Sequence, residues 1–328
     1  MKHRLFYLDI FKVIGLLCIV LAHVFPPQII FQARNFDVIL MIVISSMLFF
    51  YSNRQISFWS YVGKRFERLV IPTWIFLAIF FSLSILLFPN YLSLKLVATS
   101  FALEGGIGYV WVIRIYFIIA CLLPFIKWLC STFKKSFIYI GTLFLYVFYE
   151  VLCHFNVFNG TLTQYLFAYW IPCLVIGVVS YWMIQAESKM LFYFSILNLS
   201  VFFLICYIYY LQTGQFVNSN IMKYPFRLYY LSYGFSITGF LYLSRKFLEY
   251  FLKKIEPQIM FISSNSLWIY LFHIPFVIYL SKYYSSLNWG VKFLLTLFSS
   301  ILIVLIKNLI ITYIGKFNKT KLLEYFKG

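Results

Sequence analysis

Long, continuous runs of apolar residues fill most of this chain. A transmembrane helix needs about 20 such residues, and about ten runs approach that length. Apolar residues fill each run instead of alternating with polar ones, so the runs predict helices and not barrel strands. They lie at about 10–30, 36–51, 69–88, 107–128, 136–155, 165–184, 189–211, 225–244, 262–281 and 289–313. We therefore expect an all-α polytopic membrane protein with about ten transmembrane helices.

Composition excludes a water-soluble protein. Apolar residues make up 63% of the chain and charged residues 11%, whereas a soluble domain has about 25% charged residues. The loops between the runs are short, so we expect one membrane-embedded domain over residues 1–328 with no soluble domain attached. The first run is longer than the core of a signal peptide, which predicts a retained span. The 6 cysteines lie in or beside apolar runs, where we expect core packing.

The net charge is +18, and the distribution of the basic residues along the chain fits a membrane topology. With a cytoplasmic N-terminus, most lysines and arginines fall on the cytoplasmic side, as the positive-inside rule requires. An even number of spans then places both termini in the cytoplasm. Basic residues sit in short loops without a nucleic-acid-binding motif, which argues against nucleic acid as a partner. Two segments that mix basic and aromatic residues, 55–68 and 246–257, predict interfacial helices.

The first span carries three ionisable residues, Asp9, Lys12 and His23. Lys12 and His23 are about three helical turns apart, so they share one face with a rise of roughly 16 Å between them. Ionisable groups at membrane depth are costly and usually functional. This stripe therefore predicts a polar path from the cytoplasmic end towards the outer half of the membrane. The simpler interpretation is an Asp9–Lys12 pair, with His23 reaching the outer surface.

Arg65 and Arg68 precede the third span and share a helix face. Two guanidinium groups in this arrangement can bind phosphate groups bidentately. Ordinary positive-inside anchoring of the span is the alternative.

The fourth span opens with glycines and then carries Trp111 and Arg114. An arginine at this depth should face a cavity or a carboxylate, for which Glu104, Glu150 and Asp37 are candidates. Glu150 and His154 lie at i and i+4, and with His23 they could form a metal site. Because no tight ligand motif supports it, we expect no metal.

The ninth span carries Tyr270 and His273 three residues apart. Ser266 lies seven residues before His273, so the three side chains can line one helix face. Pro275 lacks a backbone N–H, so it can leave a backbone carbonyl of the helix without its usual hydrogen bond near these side chains. The alternative for His273 is a structural role, in which its side chain forms a hydrogen bond between two helices.

Taken together, these residues resemble the acyltransferase-3 family of integral membrane acyltransferases. The likeness lies in Lys12-x10-His23, in Arg65-x-x-Arg68 before Pro72, in Trp111 with Arg114, and in the segment 270–275, Tyr-Leu-Phe-His-Ile-Pro. The family often has arginine where this chain has Lys12. The order and spacing of the motifs extend over nearly the whole chain.

The resemblance implies transfer of an acyl group, usually acetyl, from acyl-coenzyme A to a hydroxyl of an extracytoplasmic glycan or glycolipid. It implies acetyl-coenzyme A as co-substrate, a glycan or lipid-linked saccharide as acceptor, and a bacterial cytoplasmic membrane with its lipids as surroundings. Whether copies of the chain assemble into a homo-oligomer stays open.

Roles for individual residues follow from this resemblance. His23 is expected to act as the base, or alternatively to carry the acyl group covalently. Arg65 and Arg68 are expected to bind coenzyme A. Arg114 is expected to stabilise charge or orient the acceptor, and Asp9 to hold Lys12 or help orient the polar stripe. Lys12 and His273 are expected to belong to the catalytic group, with His273 shaping the acceptor end. The expected substrate-binding residues are Tyr270, Trp111 and Glu150.

Two other classes of protein fit the same polar residues. A transporter or glycan flippase would use them as a substrate path without consuming acyl-coenzyme A. In a structural membrane subunit, changes to the polar stripe would alter only stability.

Overall fold

A computed structural model describes residues 5–52, 57–87, 92–158, 161–317 and 324–326. Within these ranges every regular element is helical. The prediction of an all-α polytopic membrane protein is confirmed. Helices suit a lipid environment because each helix satisfies its own backbone hydrogen bonds. The orientation of the two termini stays a prediction.

The long helices follow the apolar runs and are joined by short helical connectors. In chain order they are α1 (Phe6–His23), α2 (Gln28–Ala33), α3 (Asp37–Ser52), α4 (Phe58–Leu87), α5 (Leu94–Phe101), α6 (Trp111–Thr132), α7 (Lys135–His154), α8 (Thr161–Phe167), α9 (Trp170–Gln185), α10 (Ser188–Thr213), α11 (Leu228–Leu243), α12 (Arg245–Leu252), α13 (Glu256–Ser264), α14 (Ser266–Tyr283) and α15 (Trp289–Phe317).

In the described part of the chain, 8 helices are long and apolar enough to cross a membrane, or up to 9 if one bent pair forms a single span. The prediction had about ten. The predicted span 225–244 corresponds to α11, which has 16 residues and is not one of these 8 helices. It is buried along most of its length, so protein packing and not lipid surrounds it.

The helix boundaries of α1 and α4 differ from the predicted runs. The run 10–30 breaks after α1, because Phe25 takes a left-handed φ of 53° and two prolines follow it. Conversely, α4 continues without a break from the predicted interfacial segment 55–68 into the predicted span 69–88. Residues 55, 56 and 88 lie outside the described residues. Pro72 stays inside this helix.

The predicted interfacial segment 246–257 becomes α12, a short 3-10 helix and the start of α13. On α12 the aromatic side chains of Phe247, Tyr250 and Phe251 are exposed. Contact of this segment with a membrane surface stays a prediction.

The chain divides into two compact units. The first unit comprises Met1–Gly15, Pro27–Gln55 and Ile118–Lys254. In it α11 packs against α10 and α3, and α9 packs against α3 and α7. The prediction of a single membrane-embedded domain stays a prediction.

The second unit comprises Leu16–Pro26, Ile56–Phe117 and Ile255–Gly328. Here α14 packs against α15 and α4. The chain bends by 72° where α13 meets α14. Asn265 holds this bend, since its Nδ2 donates to the carbonyl of Phe261 at 2.9 Å and its Oδ1 accepts from Asn308 Nδ2 at 3.1 Å.

Close packing of α3 and α11 in the first unit depends on Gly234. A Cβ atom at this position would lie 2.6 Å from Cγ1 and 2.8 Å from Cβ of Ile39. Ile39 is fully buried, and atoms so near its backbone cannot move without shifting α3.

We predict that Gly234→Ala lowers the free energy of unfolding by about 1–3 kcal/mol, because the added methyl group overpacks the α3–α11 contact. Thermal unfolding of the purified protein in detergent measures this. Gly141→Ala on α7 is the control, since a Cβ there meets no atom within 4 Å, and alanine favours the helix. Equal unfolding temperatures for the two variants would contradict the close approach.

Candidate active site

Two histidines contact each other in the second unit. Nδ1 of His23, the last residue of α1, lies 2.7 Å from Nε2 of His273 on α14. Their rings stack with centroids 5.0 Å apart and an interplanar angle of 16°. His273 is completely buried and His23 is half-buried. The sequence predicted both residues as site residues, and the structure brings them together.

The hydrogen bonds around His273 indicate where the protons lie. Its Nδ1 lies within hydrogen-bonding distance of the carbonyl oxygen of Tyr270. A carbonyl oxygen only accepts, so Nδ1 of His273 carries hydrogen, and in neutral His273 Nε2 carries the lone pair. Nδ1 of His23 then donates to it. In neutral His23 the basic lone pair is therefore on Nε2.

Tyr109 packs beside the histidine pair. Its ring meets His23 edge-on, with centroids 4.6 Å apart and an angle of 85°, and it lies 5.9 Å from the ring of His273. The hydroxyl of Tyr270 donates to the backbone carbonyl of Tyr109. Tyr109 was not among the predicted site residues. The glycine-rich stretch just before it was the available signal, because such a stretch permits a tight loop.

The loop before α6 requires glycine at position 106. Gly106 has φ of +48°, and a Cβ there would lie 1.9 Å from Oγ of Ser100. The same Oγ accepts from the backbone N–H of Ile107 at 3.0 Å. This fixes the loop against the end of α5 and sets the position of Tyr109.

Trp111 and Arg114, two predicted site residues, lie in the first turn of α6 directly after this loop. Trp111 is buried, and the Nε and Nη1 atoms of Arg114 are shielded from solvent. A guanidinium group in such surroundings interacts strongly with negative charge. The predicted role of Arg114 in charge stabilisation stays a prediction.

Arg65 and Arg68 both lie on α4. Nε of Arg65 donates to the hydroxyl of Tyr61 at 3.1 Å, and its guanidinium carbon lies 5.2 Å from the centroid of the Tyr61 ring. Arg68 is exposed. One guanidinium group is thus held in position while the other faces outwards. Binding of coenzyme A by this pair stays a prediction.

Asp9 and Lys12 lie on the part of α1 that belongs to the first unit. Asp9 is buried and Lys12 is half-buried. The backbone N–H of Tyr7, in the first turn of α1, donates to Glu249 Oε1 at 2.9 Å. This carboxylate satisfies one of the free amides at the helix start. The predicted roles of Asp9 and Lys12 stay predictions.

Glu150 has a structural role that its sequence pattern does not predict. Its carboxylate accepts from Arg227 at 3.1 Å, from the backbone N–H of Leu228 at 2.6 Å and from the hydroxyl of Tyr146 at 2.7 Å. It therefore caps the start of α11. Arg227 is 77 residues away in sequence, too far for a local pattern to reveal. Binding of the acceptor by Glu150 stays a prediction.

An apolar cavity of about 460 Å³ lies between α4, α14 and α15 in the second unit. Phe76, Trp268 and Phe272 line it, together with Phe326 from the described tripeptide 324–326. Phe326 stacks on Trp268 with centroids 5.4 Å apart and an angle of 9°. Nζ of Lys307 donates to the carbonyl of Phe326 at 2.6 Å, which holds this tripeptide against the cavity.

The described residues contain no group of three or more His, Cys, Asp or Glu side chains arranged to hold a metal ion. Glu150 is engaged with Arg227, and His154 is exposed at the end of α7.

Comparison with known protein families gives a match over most of the chain. The family described as an acyltransferase domain, Acyl_transf_3, matches residues 5–311. No curated protein and no solved structure matches the chain. The family match includes both histidines, both arginines of α4 and the first turn of α6, and it covers most of the chain. The chain therefore belongs to the acyltransferase-3 family, and it is a membrane acyltransferase.

Proposed function

We propose that the protein transfers an acyl group, most simply acetyl, from acyl-coenzyme A to a hydroxyl of an extracytoplasmic glycan or glycolipid. The observation that carries the proposal is the 2.7 Å contact between His23 and His273. This contact supports a neutral His23 whose Nε2 can accept a proton. The imidazole of His273 would stabilise the resulting positive charge.

The proposed reaction has two proton transfers. Nε2 of His23 takes the proton of the acceptor hydroxyl as its oxygen attacks the thioester carbonyl carbon. The carbon–sulfur bond then breaks, and the thiolate of coenzyme A takes the proton from the His23 imidazolium. The products are the O-acylated acceptor and free coenzyme A, and His23 is neutral again.

His273 acts as a positioning residue in this scheme. While His23 is protonated, its Nδ1 still donates to Nε2 of His273, so the hydrogen bond stabilises the imidazolium. The carbonyl of Tyr270 holds His273 in the required tautomer, and the ring of Tyr109 restricts both imidazoles. Arg114 stabilises the negative charge that develops on the thioester oxygen.

Arg65 and Arg68 bind the phosphate groups of coenzyme A. Their charges and their shared helix face support this role. Lys12 and Asp9 line the path at the cytoplasmic end of α1, and Trp111 and Tyr270 shape the acceptor end. Glu150, in the first unit, is a further proposed acceptor-binding residue. By this proposal the protein is a multi-pass component of the bacterial cytoplasmic membrane that modifies polysaccharide of the cell envelope.

We predict that His23→Ala lowers kcat by about 10²–10⁴-fold, because the general base is lost. Transfer of labelled acetyl from acetyl-coenzyme A to a glycan acceptor by purified protein measures this. His154→Ala is the matched control, since His154 is exposed on α7 and should leave the rate unchanged. Wild-type activity in His23→Ala would reject the assigned base. Acceptor movement without consumption of acetyl-coenzyme A would instead indicate a flippase.

We predict that His273→Ala lowers kcat by about 10–100-fold and leaves KM for acetyl-coenzyme A unchanged, because one charge-assisted hydrogen bond is lost. The pH–rate profile should also change, since the imidazolium of His23 is no longer stabilised. His273→Gln, which retains an acceptor, should recover part of the rate. An unmoved pH profile in His273→Ala would assign His273 to packing alone.

We predict that the double variant Arg65→Ala with Arg68→Ala raises KM for acetyl-coenzyme A at least about tenfold, with kcat unchanged, because two phosphate contacts are lost. Lys64→Ala is the control, since Lys64 is an exposed cation on the same helix and should change KM little. If the double variant has a wild-type KM, the two arginines serve only to anchor the helix.

A further inference from the structure

Two short polar segments of the first unit, 32–37 and 218–223, face each other. The polar residues at the centre are Gln32, Arg34, Asn35, Asp37 and Lys223, and each is at least nine-tenths buried. We call these five residues, with Asn218 and Ser219, the Asp37 cluster. The histidine pair belongs to the other unit.

Ser219 joins the two segments. Its hydroxyl donates to Oε1 of Gln32 at 3.0 Å and accepts from Nδ2 of Asn35 at 2.8 Å. Its backbone N–H also donates to Oε1 of Gln32 at 2.9 Å. Oδ1 of Asn218 accepts from the backbone N–H of Asn220 at 2.9 Å. The cluster is therefore pre-arranged by its own hydrogen bonds.

The Asp37 cluster contains two cations and one carboxylate. Nη1 of Arg34 donates to Oδ2 of Asp37 at 2.8 Å, and Nζ of Lys223 lies 3.7 Å from Oδ1. Burial lowers the pKa of Lys223 to about 8, against the opposing effect of Asp37. An excess positive charge in a buried site is costly unless a further anion offsets it.

Four buried polar atoms of the cluster have no hydrogen-bond partner among the described residues. They are Nε2 of Gln32, Nε of Arg34, Nδ2 of Asn218 and Oδ1 of Asn35. Buried polar atoms in native proteins are nearly always hydrogen-bonded, so a concentration of exceptions needs an explanation. Three of the four atoms are donors, which an anionic acceptor would satisfy.

We propose that the Asp37 cluster is a binding site for a carboxylate or phosphate group of a ligand. Such a group supplies both the negative charge and the acceptor lone pairs that the cluster lacks. Asn218 is only half-buried, so it lies at the edge by which a ligand enters. The proposal does not rest on acyl transfer, because binding is measured without acyl-coenzyme A.

The test compares the unfolding temperature of the purified full chain with three probes at matched ionic strength. The probes are glucuronate, glucose 1-phosphate and uncharged glucose. A ligand that binds only the folded state raises Tm in a saturable way. We expect a rise of a few degrees with at least one anionic sugar and none with glucose. Comparison of the two anionic sugars identifies the preferred group.

Asn218→Asp is the informative variant. It keeps the acceptor that holds Asn220 and replaces the amide donor by a carboxylate inside the cluster. We expect a higher Tm without ligand and loss of the response to anionic sugar, because the new carboxylate takes the place of the ligand. Asn288→Asp is the matched control. Oδ1 of Asn288 accepts from the backbone N–H of Gly290 two residues on, as Oδ1 of Asn218 does from Asn220.

Three results would overturn the proposal. One is the absence of any saturable rise that is specific to anionic sugars in the wild-type protein. Another is a response of Asn218→Asp equal to that of the wild-type protein and of Asn288→Asp. The third is a lower Tm, or failure to fold, in Asn218→Asp alone, which would show that the cluster does not accept a second negative charge.

Discussion

Satisfying polar groups away from water is the constraint on which this structure depends. In lipid the backbone satisfies its hydrogen bonds by forming helices. Because 63% of the residues are apolar, few side chains need a hydrogen-bond partner. The polar side chains that remain at depth are therefore conspicuous. Some of them pair within one unit, as Glu150 does with Arg227 and as His23 does with His273. The first pair fixes the start of a helix, and the second forms the candidate site.

The sequence predicted much of the fold because hydropathy reports directly on burial in lipid. The predicted span 189–211 agrees with α10, Ser188–Thr213, and 136–155 agrees with α7, Lys135–His154. The predicted run 10–30 was too long, since it took no account of the positive φ at Phe25 and the prolines that follow. The interfacial segment before the third span merged with α4 because no helix-ending residue separates them.

The candidate site was predictable only where its residues form local patterns. Tyr270 and His273 lie three apart on one helix, and His23 stands out as a histidine in an apolar run. Their contact was not predictable from spacing, since the two histidines are 250 residues apart. The same reason hid the pairing of Lys223 with Asp37. Tyr109 was missed because the glycine-rich stretch before it indicates a tight loop but not which aromatic residue of an aromatic-rich chain contacts the histidines.

The tripeptide 324–326 has a practical consequence for handling the protein. Phe326 forms one wall of the apolar cavity and is held there by Lys307. An affinity tag fused to this end should be joined through a flexible spacer so that Phe326 keeps its stack on Trp268. A truncation that removes these residues would uncover the indole ring and enlarge the opening of the cavity. Preparations that differ in their C-terminal fusions should therefore be compared with care.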